Sequence, residues 1–278
     1  MDLSWLHSLL YGFVSGLADI LPVSAQAHKI LLLKFFGSKG ETNLLDLMIH
    51  LAVFAALYYA SQPYLVRMNR ARALARIPKK KRKRPLDTRS LMDWSLLKTM
   101  VLPVILGMYL MQYVLPWQSN LMLMALFLTL NGCLLYAPQY LPSSNKDSRN
   151  LSRVEGLLVG LSGGLTILPG MSAMGAAVSV GSICGMEREF CLSMALMMNM
   201  AVAAGMAVYD VLGILDHGVG AMSFMILLRY LLTAGAAFGG TALGIKIMRY
   251  LSKEHGYATF GVYCWGVALF TFVLNLMA

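Results

Sequence analysis

Gly16 to Lys29 reads GLADILPVSAQAHK, which sets a carboxylate, a hydroxyl, an amide, an imidazole and an ammonium into a stretch that is otherwise apolar. A second segment, Pro169 to Gly175, reads PGMSAMG and follows Thr166. A proline inside an apolar helical run breaks it, and the half-helix that restarts has free N–H groups at its positive end, a ready anion site. After Pro22 the chain offers Ser24, Gln26 and His28; after Pro169 it offers Gly170, Ser172 and Gly175. Two such tips meeting at mid-membrane would cradle a phosphate with hydroxyls and backbone amides, and Gly170 would let the backbone come close. The apolar surroundings suit a lipid tail on that phosphate. A plainer alternative is that Ser24, Thr166 and Ser172 only cap or bond a kinked helix. Asp19 has the strongest case for function, because a carboxylate inside a hydrophobic segment needs a partner or a wet cavity. Asp46, His50, Glu155, Asp210 and Arg229 read as residues near span ends or snorkelling to the interface.

The elements that must position these groups are membrane helices. Of 278 residues, 58% are hydrophobic and 13% charged, with a mean hydropathy of +0.64; a soluble domain carries about a quarter charged residues. Apolar segments near the ~20 residues that cross a bilayer fall at 44–62, 95–114, 119–139, 190–213, 222–246 and 257–277. Regions 2–37 and 153–186 are apolar but interrupted. The opening residues lack a basic leader and a cleavage site, so they are expected to remain in the mature protein. Cys133, Cys184, Cys191 and Cys264 have no paired spacing and read as small packing residues.

The net charge of +10 has a local origin. Eleven Lys and Arg lie between Arg67 and Arg89, against Asp87 as the one acid. Between two spans such a run marks a cytoplasmic loop, here 63–92, that can touch anionic lipid; it is not read as a nucleic-acid site. Lys146, Arg149, Arg153, Arg188 and the basic 246–254 turn then also fall inside, while the 115–118 and 214–220 turns carry no Lys or Arg. The bias is consistent if each interrupted region enters and leaves on one side, as a re-entrant hairpin. DILPVSA at 19–25 resembles TILPGMSA at 166–173, and three spans follow each. The expected fold is therefore an all-α integral membrane protein with about six full spans and two re-entrant hairpins. It is arranged as an inverted repeat, 1–139 and 140–278. Glycines four apart (Gly12 and Gly16, Gly160 and Gly164, Gly181 and Gly185, Gly235 and Gly239, Gly240 and Gly244) permit close helix approach. Packing within the chain is the favoured use of that spacing, and a homodimer the other.

SGLADILPVSAQAH at 15–28 and PGMSAMG at 169–175 resemble the two motifs of the undecaprenyl-pyrophosphate phosphatase family, also called bacitracin-resistance proteins. Those motifs have the forms E-G-x-x-E-F-L-P-[VI]-S-S-x-G-H and P-G-x-S-R-S-G. Weaker likenesses run along the chain, among them IHLAVFAALYY at 49–59, LPVILG at 102–107 and GMERE at 185–189. The resemblance implies hydrolysis of undecaprenyl pyrophosphate to the monophosphate, in lipid-carrier recycling at the bacterial plasma membrane. It implies Asp19 as holder of a divalent metal (Mg or Ca) or activator of water, and His28 as acid/base or nucleophile. Ser24 and Ser172, with Gln26, Thr166, Gly170 and Gly175, would surround the phosphate. The sequence departs from the motifs at Ser15 and Asp19, where they have glutamates, at Ala25, where they have serine, and at Ala173, where they have arginine. Those departures open a second reading, a phosphate cradle that translocates the polyprenyl phosphate without hydrolysing it.

The orientation is directly testable. In a cysteine-free background, Lys83→Cys should resist a membrane-impermeant maleimide applied to intact cells, whereas His217→Cys should react; the reverse pattern would invert the assignment.

Overall fold

Proline fixes its own φ, lacks an N–H, and pushes the preceding residue out of the helical region. Leu21 and Leu168, which precede Pro22 and Pro169, accordingly cap two short helical segments in extended conformation, at ψ 147° and 131°. The computed structural model describes residues 3–38, 43–142, 145–219, 223–254 and 256–277. In order, the helices are α1 (Trp5–Ile20), α2 (Ala25–Phe35), α3 (Asn43–Ala75), α4 (Thr88–Val114), α5 (Leu121–Tyr136), α6 (Arg153–Gly164), α7 (Ala173–Ile183), α8 (Arg188–His217), α9 (Phe224–Glu254) and α10 (Ala258–Met277). No strand occurs among the described residues. Six helices, α3, α4, α5, α8, α9 and α10, are long and apolar enough to cross a bilayer. The chain is a multi-pass, all-α membrane protein.

The spans exceed the expected boundaries where charge meets the bilayer. α3 continues through Pro63 to Ala75, and α4 begins at Thr88, so the basic connection is 76–87 rather than 63–92. Side chains on the two extensions hold them together. Arg67 donates to Asp93 at 2.9 Å, and the Arg72 guanidinium lies 4.0 Å over the Trp94 ring. The Asp93 carboxylate is buried and also accepts from Ser148 Oγ, which ties in the connection before α6. Glu155 is part of a capping box with Ser152 and pairs with Lys146 at 2.6 Å, while Arg229 donates to the Leu3 carbonyl at 2.6 Å.

The short pairs are wedged between the spans by glycine. α1 packs on α9, where Gly12 and Gly16 bring α1 against the carbonyls of Thr233 and Ala237, and Thr241 Oγ1 donates to Gly16 O at 3.1 Å. α6 packs on α4 in the same manner, through Gly160 against the Met100 carbonyl and Gly164 against Gly107. α3 packs on α8, and α5 on α10. The glycine spacing thus serves contacts within the chain at these positions, as lipid-embedded helices require when no hydrophobic drive separates helix from solvent. Gly235 and Gly239 face open space, and the four cysteines are free.

These contacts predict a sharp contrast along one helix interface. Gly16→Leu drives a side chain into the Ala237 backbone and should destabilise the fold by about 3 kcal/mol or more, read as a lowered melting temperature in detergent. Gly239→Leu, on the open face, should leave the melting temperature unchanged; equal effects would show that this crossing does not hold α1 in place.

Candidate active site

Each broken tip restarts its helix from a serine. Ser24 Oγ accepts from Ala27 N at 3.4 Å, and Ser172 Oγ accepts from Gly175 N at 3.1 Å. Each tip also needs one left-handed residue to turn back. In the longer second tip Gly170 takes it at φ +98°, with no Cβ to strain, while its backbone lies against Met124 and Leu128 of α5. In the first tip, one residue shorter, the capping Ser24 itself takes it at φ +64°, alone in this among the described non-glycine residues. Such a conformation costs about 1–3 kcal/mol and persists only where the surroundings enforce it.

Asn131 of α5, fully buried, lies against both turns. Its Nδ2 donates to the Pro22 carbonyl at 3.0 Å, and its Oδ1 accepts from the Ser172 N–H at 3.2 Å. One carboxamide therefore joins both tips. Gly175 packs beneath them, where a Cβ would lie 3.0 Å from Pro22 and 3.2 Å from Asn131 Oδ1.

Beside the joined tips is a cavity of about 430 Å³. The starts of both half-helices line it, through Ala25 and Gln26 on one side and Ser172 and Ala173 on the other, together with Asp19 and Thr166. Its wall continues to Asn43, Ser119 and Gly213, at the helix ends remote from the basic 76–87 connection. Ser24, Gly170 and Gly175 shape the tips from behind and do not line the cavity.

His28 lies elsewhere. Along α2 the cavity face carries 25, 26, 29 and 30, and a helical residue two positions from 26 points to the other side. His28 Nδ1 meets the Ser24 carbonyl at 2.8 Å, Nε2 meets Tyr263 OH at 2.7 Å, and the ring stacks on Tyr263. It belongs to a separate apolar pocket with Leu31, Val267 and Phe270, so the expected convergence of His28 with the two serines is not what the fold produces.

The cavity instead gathers ionisable groups that looked peripheral in the sequence. Lys29 Nζ donates to Asp46 Oδ1 at 3.0 Å and lies 3.3 Å from His50 Nε2. His50 Nδ1 is 2.6 Å from Asp210 Oδ2, Tyr11 OH donates to Asp46 at 3.1 Å, and Asn199 Nδ2 reaches Asp19 Oδ2 at 3.4 Å. Asp46, His50 and Asp210 all line the cavity. Charges at membrane depth survive only in such partnerships. The signal that could have found them is the i, i+4 spacing of Asp46 and His50, which sets both on one face of α3. Nothing in the sequence pointed to Asn131 or Asn199. Among the described residues no three His, Cys, Asp or Glu side chains gather closely enough to hold a metal ion. Asp46 and Asp210 are taken up by Lys29 and His50, and no step below is routed through a metal.

Residues 8–270 match the family model described as bacitracin resistance protein BacA. This chain belongs to the BacA family. Proteins named undecaprenyl-diphosphatase are similar along most of its length. That of Methanobrevibacter smithii is 25% identical over 273 residues, 96% of each chain. That of Desulforapulum autotrophicum is 23% identical over 277 residues, 98% of this chain and 99% of the relative. That of Pelobacter propionicus is 27% identical over 216 residues, 77% of each. For a BacA-family chain, the joined tips are the part of the molecule where both family-like motifs meet.

Asn131→Ala would leave the Ser172 N–H buried and unpaired, at about 1–3 kcal/mol, and the Pro22 carbonyl with only the weak Cys264 thiol donor at 3.5 Å. The expected outcome is a large fall in thermal stability in detergent. A melting temperature equal to wild type would show that the tips are held by other contacts.

Proposed function

We propose that this chain hydrolyses undecaprenyl pyrophosphate to undecaprenyl monophosphate and inorganic phosphate in the cavity between the two tips. The observation that carries this reading is that both serine-capped half-helix starts open on one cavity that also holds an ammonium group, Lys29. First-turn N–H groups and the positive helix ends attract phosphate oxygens, and Lys29 adds the formal charge. Phosphoryl transfer needs little else from a protein than a fixed clamp for the developing charge and a placed water. The Asp19 carboxylate, which lines the cavity and accepts from Asn199 through Oδ2, is the acceptor that orients that water. The names of the relatives speak for hydrolysis, and none of them speaks for carrier translocation.

The same reading sets the protein in the bacterial plasma membrane with the basic 76–87 connection in the cytoplasm. The cavity then opens toward the outer leaflet, the polyprenyl tail stays in lipid, and α1–α2 and α6–α7 act as re-entrant hairpins. The matched packing of α1 on α9 and α6 on α4 supports two halves related by an inverted repeat.

Purified wild-type protein given undecaprenyl pyrophosphate in micelles, with Mg or Ca ion supplied, should release inorganic phosphate. The isosteric Asp19→Asn should lower kcat at least tenfold with little change in KM. Absence of release by the wild type would refute hydrolysis; full activity of Asp19→Asn would remove Asp19 from the site.

A further inference from the structure

His50 and Asp210 lie 160 residues apart in the chain, on α3 and α8, yet their side chains meet at 2.6 Å within the wall of the cavity. Both are nearly buried. The other ring nitrogen, Nε2, is 3.3 Å from Lys29 Nζ. An ammonium has donors only, so Nε2 must accept there, and Nδ1 must then carry the proton and donate it to the Asp210 carboxylate. The partners thus fix one tautomer, a neutral imidazole with its lone pair on the Lys29 side. A carboxylate behind an imidazole holds the ring and stabilises the imidazolium that forms when the lone pair takes a proton. In the described part of the cavity this arrangement occurs once. His28, by contrast, has both nitrogens engaged by Ser24 O and Tyr263 OH in a different pocket.

We propose that His50 is the catalytic base of this cavity and Asp210 its positioning residue, an assignment that rests on the hydrolytic reading above. A phosphate entering between the tips draws the flexible Lys29 ammonium onto its oxygens, which releases Nε2 toward the attacking water. The water oxygen bonds to the terminal phosphorus as Nε2 takes one water proton. The bond from that phosphorus to the bridging oxygen breaks, and its electron pair stays on the bridging oxygen, which becomes an oxygen of undecaprenyl monophosphate. The water's remaining O–H leaves on inorganic phosphate, and the imidazolium returns its proton to solvent.

The groups that share the field of His50 come from α1, α2, α3 and α8: Asp19 and Tyr11 of α1, Lys29 of α2, Asp46 on α3 itself, and Tyr209 and His217 of α8 beside Asp210. α4 and α9 contribute no titratable side chain to the described lining. A decisive readout must therefore separate His50 from the others.

The experiment uses the full chain in micelles with undecaprenyl pyrophosphate, and follows phosphate release across pH. His50→Gln should lower kcat by about 10²-fold or more and abolish the acid limb of the kcat–pH profile, with KM changed little. Asp210→Asn should lower kcat and displace that limb while the protein stays monodisperse. His50→Ala should regain activity on addition of imidazole. If His50→Gln fails to fold, Asp210→Asn and the imidazole rescue decide the matter. Wild-type activity retained in His50→Gln, or an Asp210→Asn profile identical to wild type, would overturn the assignment and leave hydrolysis standing. No release by the wild type would overturn both.

Discussion

The structure depends on a single carboxamide. In hydrocarbon an unpaired N–H or C=O has no water to turn to, so a helix broken inside a membrane must have its freed groups satisfied by protein. Asn131 does this for two breaks at once, donating to the Pro22 carbonyl and accepting from the Ser172 N–H. The tips come from positions about 150 residues apart, and the side chain that fixes their distance comes from α5, a third element. The cavity follows from that junction, because its walls are the two helix starts held at that separation.

The second constraint is electrostatic. Asp19, Asp46 and Asp210 face one cavity, which by carboxylates alone would repel a pyrophosphate. The Lys29 ammonium offsets one of these charges, and hydrogen bonds from neutral groups hold the other two. Asp46 is held by Lys29 and Tyr11, Asp210 by His50, and Asp19 by Asn199. Where the family-like motif has arginine this chain has Ala173, which lines the same cavity as Lys29. The positive charge lining the cavity thus comes from the first tip's helix and not from the second's. Because a lysine stem is flexible, the ammonium can leave its carboxylate for the substrate, which a guanidinium locked in a bidentate pair does less readily.

Much of the fold could be read from the sequence, because hydropathy and charge bias act through segment averages. All six spans were legible, and both proline breaks fall where expected. Boundaries failed where averages fail: Arg67 and Arg72 looked like loop residues, but their pairing with Asp93 and Trp94 prolongs both helices beyond the apolar core. Of the residues singled out in the sequence, Asp19, Gln26, Thr166 and Ser172 line the cavity. His28 does not, because helical phase turns it toward α10, a fact that motif spacing hides. Asp46, His50 and Asp210 were visible as ionisable residues in apolar runs, yet their meaning lies in partners on other helices. Asn131 is one polar residue in an apolar span, and nothing local marks it as the link between two distant turns.

Where the substrate's phosphates bind is the most direct test of the joined tips as an anion site. An experimental structure of the full chain with a non-hydrolysable polyprenyl methylene-diphosphonate would decide it. The diphosphonate should lie between the starts of α2 and α7, with an oxygen within about 3.5 Å of Lys29 Nζ and the terminal phosphorus nearest the His50 side of the cavity. A diphosphonate bound instead at the His28 and Tyr263 pocket would contradict it.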